Sequence, residues 1–512
     1  MNIQQLMFRF FSLLHLCDGF KVSVDIDMNR VIQTVDPLSP SLALNQNIIQ
    51  QRWIDHFKNV KFMKLARSLG PSYLRVGGIT ADEITFVMNS KTRMKKPYSC
   101  LDCKLSGRRK IIYSNKEKLE RASIVMTEGD WEKLNEFCSC AGWKLIFDLN
   151  LLMRNGSRWN YTNAQQLIKF TENRYHVNWE LGNEPNSYPH KMGLYISPEQ
   201  VGEGFNQLRK LLQASPWWES SIIVGPDLNH VGSLNAAKFL SRFLKAAGHT
   251  IDGITYHQYD MNGNIAELAD FLNPHTLHRI RSQTQQILDV RSKYAPNKSI
   301  WLGETASAYD GGVKGVSNSF ADGFTWLDKL GTVAQMGVDV VMRQSLFEGS
   351  YALIDKHFDP LPDYWLTFLY KQLVGNKVLK VTLIEINKKN DNEGKKVRIY
   401  AHCTKDGRYS KGAVVLYFIN LKNTTIYLSI NSLKNRGAVI DMYLLTPGEK
   451  GNITSKSIRL NGVTLKLSST NTFPRLRPTR IDESKLKLGI KIPSFTYGFL
   501  VLSGANAFAC YQ

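Results

Sequence analysis

The chain has 512 residues, 43% hydrophobic and 21% charged, which supplies a large core and excludes a disordered or low-complexity chain. No apolar run approaches the roughly 20 residues needed to cross a bilayer, so no transmembrane helix is predicted. The net charge of +21 is uneven, with 24 Lys/Arg against 8 Asp/Glu from Lys371 onward and 11 against 3 over 91–121. Localised positive charge points to a polyanionic partner, a sulfated glycan, nucleic acid or membrane surface. The lack of zinc-finger spacing, an RNA-recognition motif or a basic zipper argues against nucleic acid.

In chain order, Leu6 to Cys17 has the length of a signal-peptide core, but Arg9 interrupts it. Residues 1–20 are therefore read either as a signal remnant or as a first strand of a sandwich. Eight short apolar runs follow, each ending in polar residues: KVSVDID (21–27), YLRVGG (73–78), WKLIFDLN (143–150), HVNWE (176–180), SIIVGPD (221–227), GITYHQY (253–259), SIWLGE (299–304) and DVVMRQS (339–345). Between them lie amphipathic stretches such as 163–173, 199–214 and 236–247. Strand and helix alternating eight times predict a (β/α)8 barrel over residues 21–370. A doubly wound sheet is the alternative, but no Gly-x-Gly-x-x-Gly follows the first strand. Residues 86–125 form a basic insertion in which Arg108-Arg109-Lys110 is a candidate cleavage site. After residue 370 the runs KVRIYAHCT, AVVLYFINL, TTIYLSI and TYGFLVLSG come at short spacing, predicting a β-sandwich over 371–512.

Seven cysteines include Cys100-x-x-Cys103 and Cys138-x-Cys140, but the second spacing is too tight for a zinc knuckle, so disulfides are expected and no metal. Sequons at Asn155, Asn160, Asn297, Asn423 and Asn452 favour the secretory route.

Catalytic residues of such barrels project from the C-terminal ends of strands. Two ends carry a glutamate, Glu184 after the fourth strand and Glu304 in the seventh. Two carboxylates flanking one bond suit glycoside hydrolysis, one protonating the leaving oxygen and the other attacking the anomeric carbon. Asn183 is placed to hydrogen-bond a substrate 2-hydroxyl. His257 and Tyr259 are expected to orient Glu304, Arg75 to keep it ionised, and Gln344 to donate to it. Against this, Glu180 reads as a buried paired carboxylate, Asn186 and Ser187 as helix caps, and a lone histidine such as His257 is more often structural. The case rests on two glutamates at matching strand ends.

The words Trp179-Glu180-Leu181-Gly182-Asn183-Glu184-Pro185-Asn186 and Trp301-Leu302-Gly303-Glu304-Thr305 closely resemble the heparanase family of retaining endo-β-glucuronidases. So do GFTWLDKLG (323–331) and FDPLPDYWL (358–366), and the resemblance runs from about Leu14 to the C-terminus. It implies Glu184 as acid/base, Glu304 as nucleophile, and substrate contacts at Asp27, Asn183, Tyr259, Tyr309, Gly311 and Tyr351. It also implies a Cys403–Cys510 disulfide, and a second through Cys140 to Cys100 or Cys103. No cofactor is implied. The implied substrate is heparan sulfate or a related polyanionic glycan, met in the extracellular matrix, in the lysosome, or at membranes through proteoglycans.

Departures concern charge. Pro226 to Ser233 holds no Lys or Arg where the family has a basic cluster. Asn264 replaces an arginine, Ile79 a threonine and Asp310 a glycine of the family pattern. These changes leave two alternatives beside the main reading: a glucuronidase for low-sulfated glycans, and a heparan-sulfate-binding protein without turnover.

Overall fold

The computed structural model describes residues 20–88, 124–385, 395–433, 439–481 and 489–511. The segment 1–19 and most of the 86–125 insertion, with Cys17, Cys100, Cys103 and Arg108-Arg109-Lys110, lie outside the described residues.

The first strand, β1 (Phe20–Thr34), does not open the barrel. It pairs antiparallel with residues 378–385 and parallel with residues 426–430 of the C-terminal half. Its sequence gives the reason. Val22, Val24 and Ile26 alternate with more polar residues, the period of a strand with one buried face, and that face packs on Leu379, Leu416 and Leu428. Barrel strands are buried on both faces, and the true first one is β2 (Ser41–Asn45), SLALN, buried along nearly its whole length. The barrel expected from residue 21 thus starts about twenty residues later.

The other seven barrel strands are those expected: β3 (Ser72–Gly77), β4 (Trp143–Leu149), β5 (Val177–Leu181), β6 (Val224–Leu228), β7 (Gly253–Asn262), β8 (Ser299–Tyr309) and β9 (Val340–Gln344). They pair in parallel as β6-β7-β8-β9-β2-β3-β4-β5. The ring closes where Trp179 in β5 pairs in parallel with Ile223, just ahead of β6, its N–H donating to Ile222 O at 3.0 Å. The intervening helices start where the sequence supplies caps. Ser197 accepts from Gln200 N in a reciprocal capping box ahead of Pro198–Gln213, with Pro198 in the first turn. Helix Leu234–Ala247 buries Ala236, Phe239, Leu240, Phe243, Leu244 and Ala247, one stripe at helical spacing.

The C-terminal strands β10 (Val374–Glu385), β11 (Val397–Thr404), β12 (Val414–Asn420), β13 (Ile426–Ile430), β14 (Val439–Pro447) and β15 (Thr496–Ser503) run β14-β15-β12-β11-β10-β1-β13 within an eleven-stranded sheet among the described residues. Cys403 and Cys510 are disulfide-bonded. Cys140 is also disulfide-bonded, to a cysteine outside the described residues, while Cys138 is free and buried. All five sequon asparagines are exposed.

GFTWLDKLG forms the middle of helix Asp322–Met336, buried from Asp322 to Ala334 between barrel and sheet. On the sheet side, Gly323 and Gly331 lie against the rings of Tyr497 and Tyr400, where an added Cβ would come within 2.2 and 2.3 Å. Asp328 accepts from the Tyr400 hydroxyl at 2.5 Å. On the barrel side, Lys329 donates to Gln258 Oε1, Thr305 Oγ1 and Ala306 O at 2.7–2.9 Å and pairs with Asp260.

Candidate active site

Four of the eight barrel strands send a charged side chain inward to one guanidinium. Arg75 of β3 is fully buried and donates to Glu180 of β5 (2.7 Å), Asp227 of β6 (2.6 Å) and Glu304 of β8 (2.9 Å). Asp148 of β4 lies 3.7 Å away, and Asn183 accepts from the same guanidinium at 3.0 Å. One cation cannot neutralise this many carboxylates. Burial, and then the charge of Asp227, push Glu180 and Asp148 above the usual carboxylate range. Asp227 moves the other way: burial alone would raise it, but Arg75 and His257 outweigh that. Glu180 is the paired structural carboxylate expected.

Above this layer lies a cleft of 730 Å³, lined among others by Asn183, Glu184, Tyr259, Glu304 and Tyr351. Glu304 accepts from Arg75 Nη1 on one oxygen and from the Tyr259 hydroxyl on the other, at 2.6 Å. Glu184 follows β5 in a left-handed conformation (φ 56°, ψ 52°), uncommon for a side chain of its size and typical of strain held at functional positions. Its Oε1 meets His257 Nδ1 at 2.8 Å, and its Oε2 accepts from Asn229 Nδ2 at 2.7 Å and from Lys191. One oxygen of Glu184 and one of Glu304 come within 4.8 Å of each other. A divalent cation between them would displace the cationic donors Arg75 and Lys191, so these carboxylates are satisfied as ion pairs instead.

Burial favours a neutral Glu184, but His257 and then Lys191 outweigh it and hold the carboxyl well below its ordinary range. Burial likewise would lower His257, yet the charges of Asp227 and Glu304 raise it to about 10. His257 is thus an imidazolium between Glu184 and, at 3.5 Å, Asp227.

Several expectations need correction. Asp27 sits in β1, ion-paired with Arg30 and accepting from Asn29 N, and does not line the cleft. The strand-end polar residue at that place is Asn45 of β2, which lines the cleft and accepts from Thr80. The sequence hides it because KVSVDID carries the stronger strand pattern of the two. His257 bonds Glu184 rather than Glu304, while the Tyr259 hydroxyl donates to Glu304. Gln344 lines the cleft beside Tyr351, but the donors to Glu304 among the described residues are Arg75 and Tyr259. Tyr309 and Gly311 are on the cleft wall, Gly311 at φ 85°. Asp148, Lys191, Asp227 and Asn229 were given no role, although Asp227 ends its strand in the same way as Glu304. Two departures from the family pattern meet at the rim, where Asn264 Nδ2 donates to Asp310 at 2.9 Å.

Residues 53–331 match the family described as glycosyl hydrolase family 79, N-terminal domain. The chain is 38% identical to the heparanase of Bos taurus, over 94% of this chain and 91% of that protein. It is 32% identical to the inactive heparanase-2 of Homo sapiens (96% and 89% covered) and 31% identical to the hyaluronoglucuronidase of Hirudo nipponia (96% and 99%). Its fold resembles a 4-O-α-L-rhamnosyl-β-D-glucuronidase from Fusarium oxysporum, with a TM-score of 0.64 at 14% identity over 94% of this chain and all of that one. The chain belongs to glycosyl hydrolase family 79, and it is a glycoside hydrolase.

Proposed function

We propose that this enzyme is a retaining endo-β-glucuronidase that cleaves internal glucuronic acid linkages of heparan sulfate or a related glycosaminoglycan. The observation that carries the reading is the approach of Glu184 and Glu304 to within 4.8 Å at the ends of β5 and β8. Direct attack with retention suits carboxyl groups about 5–5.5 Å apart, whereas inversion needs about 6.5–9.5 Å for an intervening water. Glu304, fixed by Arg75 and Tyr259, attacks the anomeric carbon while Glu184 protonates the departing glycosidic oxygen. In the second step Glu184 takes a proton from water, which attacks the glycosyl–Glu304 ester and frees the sugar with its configuration retained. Asn183, held by Arg75, faces the cleft where it supports the 2-hydroxyl.

The test is release of reducing ends from heparan sulfate. Glu304→Gln is expected to lose activity by on the order of 10³-fold or more while folding normally. Equal rates for variant and wild type would remove the assignment.

A second reading, preference for low-sulfated glucuronans, draws on the cleft wall. Among the described residues Lys191 is the single Lys or Arg lining it, and Asp310 and Asn264 occupy its rim. On this reading the unsulfated precursor of heparan sulfate is cut at least as fast as the mature polymer. A clear preference for the mature polymer would dismiss it. The disulfide Cys403–Cys510 suits an oxidising compartment, which supports an extracellular or lysosomal location.

A further inference from the structure

Lys191 ends the short helix Tyr188–Lys191, seven residues beyond Glu184. Its side chain is 32% exposed, against 6% for that of Glu184. Both oxygens of Glu184 are occupied by donors: Oε1 faces His257, and Oε2 accepts from Asn229 and Lys191. A carboxylate oxygen offers two lone pairs, and both of those on Oε2 are taken, so a proton can enter there only when one of its two donors leaves. His257 is buried and anchored toward Asp227, so Oε1 faces the closed side of the site and Oε2 the side of the exposed Lys191. Oε2 is the oxygen that can be freed, and Lys191 is its exposed, flexible partner.

The acid of a glycosidase lies beside the sugar that leaves, because it protonates that sugar's oxygen. An ammonium resting on this carboxylate therefore adjoins the leaving-side sugar. Among the described residues it is also the one Lys or Arg that the cleft wall offers to an anion.

We propose that Lys191 is a substrate-released latch on Glu184: a sulfate on the leaving-side sugar draws the ammonium off Oε2, and Glu184 then takes from solvent the proton it delivers. This rests on the acid/base role proposed for Glu184. In the free enzyme the latch adds to His257 in holding Glu184 as carboxylate. When the sulfate binds Lys191, the remaining groups facing Glu184 are Asn229, His257 backed by Asp227, and the Glu304 carboxylate with its Tyr259 and Arg75 donors. The proton enters at Oε2, passes to the glycosidic oxygen as the C–O bond breaks, and leaves Glu184 ionised for the hydrolytic step. One cation thus reads one sulfate and arms the acid in the same movement.

The experiment compares pH profiles of kcat on glucuronyl oligosaccharides with sulfated or unsulfated leaving-side glucosamine. In wild type the alkaline limb for the sulfated substrate is expected about one pH unit above that for the unsulfated one, the size of a lost charge neighbour. In Lys191→Met the two limbs coincide at the higher value and KM for the sulfated substrate rises, whereas Lys191→Arg keeps the wild-type difference. Coincident limbs in wild type, or a difference that survives in Lys191→Met, overturn the latch. A second measurement needs no turnover: ¹³C NMR titration of carboxyl-labelled glutamate, with Glu184 assigned through Glu184→Gln. Lys191→Met is expected to raise its midpoint by about one unit, and no shift overturns the proposal. Trapping with 2-fluoro-β-glucuronyl fluoride, whose leaving group requires no proton, tests the retaining reading separately. Failure to label Glu304 counts against that reading, and the titration still decides the latch.

Discussion

Among single residues, the coupling of His257 and Glu184 makes stability depend on pH. His257 is raised from 6.5 to about 10, so its contribution is complete below about 6.5 and lost as pH rises toward 10. Glu184 is depressed from 4.5, so its contribution is complete above about 4.5 and lost as pH falls through its folded value. Glu180 and Asp148, raised by burial and by Asp227, hold protons in the fold and penalise it as pH climbs above the carboxylate range. Glu184 and His257 bracket the optimum between about 4.5 and 6.5, and Glu180 and Asp148 draw it toward the acidic end. Scanning calorimetry should give a higher melting temperature at pH 5.5 than at pH 8.5, and the reverse order would contradict this electrostatic picture. The two glutamates of the cleft were legible because each follows a hydrophobic strand and sits in a distinctive word. Their partners were not. Whether His257 faces Glu184 or Glu304 depends on side-chain direction at a barrel rim, where both lie within 4.8 Å.

At the level of elements, helix Asp322–Met336 explains a word whose significance the sequence did not reveal. GFTWLDKLG reads as an amphipathic helix with two poorly placed glycines, each unfavourable by about 0.5–1 kcal/mol relative to alanine in an exposed helix. In the fold they are the points where the helix backbone meets the Tyr497 and Tyr400 rings. Gly331→Ala should therefore destabilise by roughly 1–3 kcal/mol through overpacking. Gly129→Ala, in helix Glu128–Ala141 with nothing closer than 3.9 Å to the new methyl, should be neutral or slightly stabilising. Thermal melts of the pair test this, and equal shifts would mean that the Tyr400 ring yields. The word's polar residues divide in the same way, Asp328 toward the sheet and Lys329 toward the barrel. A helix buried on both sides cannot be distinguished by periodicity from one with a single buried face.

For the molecule as a whole, seven of eight barrel strands and the change to antiparallel sheet after residue 370 were legible, because length, alternation and turn residues are local signals. The misplaced one was long-range. Nothing near KVSVDID announces that its partners lie at 378–385 and 426–430, although its one-sided alternation already differed from the two-sided burial of SLALN. That pairing has a temporal consequence. On the ribosome β1 is made before the barrel strands, and β10 follows only after the entire barrel. At about 5–20 residues per second, Val22, Val24 and Ile26 wait on the order of 20–70 s for the sheet that covers them. During that interval the nascent chain carries an exposed apolar edge beside a barrel that is already assembling. The late arrival of the C-terminal sheet through β13, rather than closure of the barrel, sets the moment at which this face no longer needs protection from aggregation.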